Sequence, residues 1–91
     1  MAIRFTRHAV RRMAEEGISR DGVLAVLRLG AAIEAYPHDT PYPSRLMLGW
    51  VAGRPVHVVV ALASSEDTIV VTTYRPDPER WNETFTARRP R

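Results

Sequence analysis

The stretch VHVVVALA, residues 56–63, decides the fold. It is an almost unbroken apolar run, rich in β-branched valine and short for a helix. Such a run suits a central strand covered on both faces. Working outward, Ala52-Gly53-Arg54-Pro55 reads as a turn. Before it, Ser44–Val51 alternates Leu46, Leu48 and Trp50 against Arg45, Met47 and Gly49, which is strand periodicity. After it, Ser64–Asp67 turns the chain, and Thr68–Tyr74 is β-branched and aromatic, hence a strand. Ala31–Tyr36 forms a further strand, joined to the next by PHDTPYP (37–43), a loop with three prolines. Strands linked this tightly pair antiparallel, because a parallel crossover needs about a dozen residues or more.

Upstream of Ala31 the period becomes helical. Thr6 is a suitable N-cap for a helix through Glu16, and Gly17 a suitable stop. Ala9 and Met13 share its apolar face. Ser19 caps a second helix, with Asp21 in the first turn, where the helix dipole favours an anion. Val23, Val26 and Leu27 follow helical spacing up to Gly30. The expectation is one α+β domain over 1–91, with two N-terminal helices on one face of about four antiparallel strands. Asp77-Pro78-Glu79 opens a short helical turn containing Trp81, and the basic tail, about 88–91, frays.

Composition narrows the chemistry. The content is 45% hydrophobic and 25% charged, as in an ordinary globular domain. No cysteine is present, so disulfides and thiolate metal sites are excluded. Three scattered histidines do not suggest a metal site, and no cofactor is expected. No run reaches the roughly 18 apolar residues of a membrane span. The arginine-rich start lacks the apolar core of a secretory signal, so the expected compartment is the cytoplasm. Net charge is +3, and all 13 basic residues are arginine. Any phosphate contact must come from arginine or the backbone, and arginine grips phosphate bidentately. There is no phosphate-binding glycine loop, no G-x-S-x-G and no H-E-x-x-H.

Several residues can carry chemistry. His8 and Arg12 stand four apart on the first helix, beside its apolar stripe, and can present an imidazole and a fixed charge to one phosphate. On spacing alone they better suit a solvated helix flank, with Arg12 paired to Glu15. His57 suits general acid or base work, or a core histidine bonded to backbone. Alternation puts His57, Val59 and Ala61 on one face, and Val58, Val60 and Leu62 on the other. Tyr74 and Arg75 close the last strand and Arg45 begins the second. Strand ends can converge such side chains on one substrate, although each also suits a plain sheet edge or surface. Tyr36 and Tyr42 flank the stiff proline loop, either as a stacking surface or as caps on the core.

The segments HAVRRMAEEGIS (8–19), YPHDTPYPSRLMLGW (36–50), RPVHVVVA (54–61) and TTYRPDPERW (72–81) resemble the bacterial and archaeal domain-of-unknown-function family 4258. The resemblance runs from about Phe5 to Arg88. Its recurrent positions here are His8, Arg12, Met13, Tyr36, Pro37, Asp39, Pro41, Tyr42, Pro43, Ser44, His57, Tyr74, Pro76, Pro78 and Trp81. That family is in turn similar to the RelE-like toxins, including the MqsR-type messenger-RNA interferases. The resemblance implies a curved antiparallel sheet and a toxin of a toxin–antitoxin pair. It also implies metal-independent endoribonuclease activity and a small antitoxin partner of the zinc-finger kind. Many RelE-like toxins use lysine, so arginine or histidine must substitute here.

The expected catalytic set is therefore His57, His8, Arg12 and Tyr74, brought together on one face. His57 is general base or acid. Arg12 and Arg45 stabilise the phosphorane, at roughly 3–4 kcal/mol per group. His8 or Tyr74 completes proton transfer or holds a base. Arg45, Arg75, Tyr42 and Tyr36 are the expected RNA contacts. The alternative is a non-catalytic module that binds protein or RNA through the same arginines and tyrosines. The sequence leaves the oligomeric state open.

Overall fold

A computed structural model describes residues 2–90. Its elements are β1 (Ala2–Phe5), α1 (Arg7–Glu16), α2 (Arg20–Leu29), β2 (Ala31–Tyr36), β3 (Ser44–Val51), β4 (Arg54–Leu62) and β5 (Asp67–Tyr74). Met1 and Arg91, part of the expected domain and tail, lie outside the described residues.

The strands form one sheet in the order β1-β5-β4-β3-β2. β2 to β5 make the expected antiparallel meander, with the valine run as its middle strand. The sheet nevertheless has five strands and is mixed, because β1 lies parallel to β5, from Ala2 opposite Asp67 to Phe5 opposite Val70. Four residues, AIRF, are too few to show a period. What makes them a strand is a partner 65 positions away.

Both helices start and stop where their caps dictate. The Thr6 and Ser19 side chains accept hydrogen bonds from the amides of Ala9 and Gly22. Gly17 ends α1 in the left-handed region, at φ 68°. The helices pack on one sheet face through Ala9, Ile18, Val23 and Val26, against Val56, Val58, Val60 and Val70. α2 approaches β3 so closely that a Cβ on Gly49 would lie 2.8 Å from Val26 Cγ2. Only glycine leaves room for that contact.

The other face is covered by the C-terminal segment. The amides of Arg80 and Trp81 donate to the Asp77 carbonyl, closing the turn expected there. Trp81 then bridges to Arg88, and the Arg89 amide donates to the Arg80 carbonyl at 2.8 Å. The segment expected to fray is thus tied back on itself through Arg89. Trp81 is 3% exposed, and Phe85 meets Trp50 edge to face at 5.9 Å. Residues 76–90 form a strap across the sheet, made by backbone pairing that no periodicity announces.

Candidate functional site

β1 pairs only with residues 67–70 of β5. The Thr6 hydroxyl donates to the Val71 carbonyl, and there the chain leaves the sheet for α1. Beyond it, Thr72–Tyr74 has no paired strand on that side among the described residues. Here the helical layer and the strap approach each other around a cleft of about 730 Å³. Arg12 lines it from α1, Tyr74 and Arg75 from the end of β5, and Arg80, Trp81, Arg88 and Arg89 from the strap. Five arginines face two acids, Asp77 and Glu79, in this lining.

Tyr74 links the cleft to His57. The two are register partners across β4 and β5, and the Tyr74 hydroxyl lies 3.2 Å from His57 Nδ1. His57 Nε2 lies 2.9 Å from the Phe85 carbonyl oxygen. A carbonyl can only accept, so Nε2 carries the proton. Nδ1 is then bare and accepts from the tyrosine hydroxyl. Trp81 packs edge to face on the imidazole at 4.4 Å. His57 is 0% exposed, and burial lowers its pKa, partly offset by the Phe85 carbonyl. Burial likewise raises the pKa of Tyr74, so the phenol holds its proton.

This arrangement divides the expected catalytic set. His57 alternates with Val56 and Val58, which face the helices, so it lies on the opposite face from α1. His8 and Arg12 share a flank of α1, one turn apart, and His8 is exposed. The expected meeting of His57 with His8 and Arg12 does not form, because alternation turns the imidazole under the strap. Tyr74 alone joins the two sides: it shares the cleft with Arg12 and a hydrogen bond with His57. Arg12 itself is engaged by Glu15 at 3.1 Å and Glu16 at 3.0 Å.

The expected RNA contacts scatter as well. Arg45 is exposed on β3, in register with Val60 and so on the face opposite Tyr74. Arg75 clamps the end of α1, donating from Nε to the Glu16 carbonyl and from Nη2 to the Gly17 carbonyl. Its Nη1 is buried with no hydrogen-bond partner, a donor left over at the cleft wall. Tyr36 donates to the Glu34 carboxylate, which also lies 3.5 Å from Arg88. Tyr36 borders a second cavity of about 520 Å³ with Pro37, His38 and Asp39. Tyr42 is on the exposed loop, 37% accessible. That loop is closed by Asp39, whose carboxylate accepts from the Ser44 hydroxyl at 2.7 Å and the Thr40 amide at 3.1 Å.

Arg80, Arg88 and Arg89 were not expected at a site, since the tail shows no period. The one legible signal was a tryptophan placed beyond the last strand, which demands burial and so brings its neighbours back to the sheet. Among the described residues, no three His, Cys, Asp or Glu side chains converge as a metal site would require, and no helix is long and apolar enough to cross a membrane.

The fold and cleft define a small α+β domain with an arginine-lined cleft, bordered by a histidine-backed tyrosine, at one end of its sheet. Over residues 5–75 the chain matches the family described as a domain of unknown function, DUF4258, and it belongs to that family. The match includes Arg12, His57, Tyr74 and Arg75 and stops before the strap. No curated protein and no solved structure matches the chain.

Proposed function

We propose that this protein acts on RNA as the toxin of a toxin–antitoxin pair, cleaving a phosphodiester bound in the arginine-lined cleft. The observation that carries the RNA part is Tyr74: its hydroxyl is backed by a neutral imidazole, and the residue lines one cleft with five arginines, one of them with an unpartnered buried donor. The toxin part, with a cytoplasmic setting and a small antitoxin partner of the zinc-finger kind, is supported by the likeness of the DUF4258 family to RelE-like toxins.

In this reading the RNA 2′-hydroxyl attacks the adjacent phosphorus, and the bond from phosphorus to the 5′-oxygen breaks. The 2′ proton passes to the Tyr74 oxygen as the tyrosine proton passes to His57 Nδ1. The Phe85 carbonyl, on the far side of the ring, favours the imidazolium so formed. Return along the same path protonates the 5′-oxygen. The cleft arginines stabilise the charge on the phosphorane. His57 acts through Tyr74 and touches no substrate. His8, exposed one turn from Arg12, contacts the strand beside the scissile bond. Tyr36, Tyr42 and Arg45 lie outside the cleft lining and have no part in the chemical step.

A second reading, RNA binding without cleavage, is favoured by the full burial of His57, which leaves no free base in the cleft. One variant separates the two. Tyr74→Phe keeps the ring and removes the hydroxyl. With purified protein, the wild type should yield 2′,3′-cyclic phosphate ends. The variant should lose about 100-fold or more in rate, in line with general acid–base catalysis, while keeping its RNA affinity. RNA bound but intact with the wild type supports the second reading, and wild-type rates in Tyr74→Phe remove tyrosine from the mechanism.

A further inference from the structure

The charge of this protein is distributed unevenly. Residues 1–29 carry six arginines against three acids, and residues 30–91 carry seven of each, so the whole net charge of +3 belongs to β1, α1 and α2. Within that layer, Ala9 and Met13 point α1 at the sheet, which turns Arg7 and Arg11 directly outward, one turn apart. Val23 and Val26 do the same for α2, leaving Arg28 outward and Arg20 at the shoulder, over the Phe5 ring at 5.7 Å. All four arginines are exposed. Among the described residues none lies within 4.0 Å of a carboxylate, whereas Arg12 has two such partners and Arg80 and Arg88 one each. The nearest acid along α1, Glu15, is taken by Arg12.

The outward face of these two helices has features that select its partner. Its large exposed apolar side chains are single and peripheral: Val10 on a flank of α1 and Leu29 at the end of α2. A protein partner needs an apolar centre to its interface, which this face lacks. Tyr42 and Trp50, the exposed tyrosine and tryptophan, belong to the loop after β2 and to β3, so His8 is the one ring side chain exposed on α1 and α2, too little for a platform that stacks successive unpaired bases. What the face offers is fixed positive charge in a fork geometry suited to phosphate, without a means of reading sequence. That suits the backbone of double-helical RNA, whose bases are already stacked.

We propose that the outer face of the α1–α2 layer is a second, sequence-independent RNA surface that holds a duplex by its phosphates. The proposal rests on the reading of the cleft as an RNA site and extends it: Arg12 borders both, so a single strand leaving a duplex on the helices enters the cleft. The preferred substrate class is then a junction of duplex and single strand.

The test is salt-dependent binding of the full chain to a hairpin RNA and to an unstructured strand of equal length. Arg7→Gln/Arg11→Gln/Arg20→Gln should weaken hairpin binding by about tenfold or more. It should also reduce the log–log salt slope by roughly 0.7–0.9 for each phosphate contact removed. Binding of the unstructured strand should be unchanged. The same three positions as lysine should restore the slope, which separates charge from any effect on folding. Wild-type slope and affinity for the hairpin in the glutamine variant would overturn the surface alone. So would hairpin binding lost only when the cleft is altered, as in Arg80→Gln/Arg89→Gln. Absence of binding to either RNA by the wild type would bring down the cleft reading too. Competition by polyglutamate as effective as that by the hairpin would reassign the face to an acidic protein.

Discussion

At the scale of single residues, His57 is held neutral by its surroundings, with both ring nitrogens engaged. Its folded-state pKa lies below the ordinary 6.5 because burial penalises the charge. An unfolded chain takes up a proton as pH drops through about 6.5, while the folded chain does not until its lower pKa is reached. Stability contributed by His57 is therefore complete above that pH and declines as pH falls from 6.5 toward the folded pKa. Thermal unfolding of the wild type should show a falling midpoint in this window, and His57→Gln should flatten it. An unchanged slope in the variant would mean that other groups cause it. The sequence showed that this histidine opens an apolar strand, and it offered two roles, proton transfer or a core hydrogen bond to backbone. It could not choose between them, because the partners arise from chain at positions 74 and 85.

At the scale of elements, local signals sufficed for the helices. Thr6, Gly17, Ser19 and Gly30 mark their ends by chemistry confined to a few neighbouring residues. The three strands around the valine run were legible from alternation and β-branching. β1 was not, since its identity comes from pairing alone. The clamp on α1 was equally invisible: Arg75 reaches the carbonyls of Glu16 and Gly17, and its own amide donates to the Glu16 carboxylate at 3.3 Å. A guanidinium on the last carbonyls of a helix satisfies orphan acceptors and complements the dipole. Arg75→Ala should cost about 2 kcal/mol in urea unfolding. It should also speed hydrogen exchange in the last turn of α1. Exchange confined to the strap would place the clamp's effect elsewhere.

For the whole molecule, the strap makes the sheet two-sided. Helices cover one face, and Trp81, Phe85 and Arg88 cover the other, with Arg88 stacked on Trp81 at 4.7 Å. Because Trp81 is 3% exposed and lies against His57, Trp81→Ala should destabilise the protein by about 3–5 kcal/mol in denaturant unfolding. That is a large part of the roughly 5–15 kcal/mol typical of a domain. A cost below about 1 kcal/mol would make the segment an accessory rather than a wall of the fold. The candidate site was half legible for a related reason. Tyr74 and Arg75 sit at the end of a strand and Arg12 on the flank of a helix, both marked in the sequence, whereas Arg80, Arg88 and Arg89 reach the cleft only because the tail folds back. The parallel seam between β1 and β5 also sets an order of events. Hairpins between β2 and β5 can close within a few residues of each turn, but Ala2 must find Asp67 across nearly the whole chain. Such non-local pairing is slow relative to local closure. During synthesis β1 and α1 are therefore made well before β5, the strand both lie against, and α1 has no sheet beneath it until that strand follows.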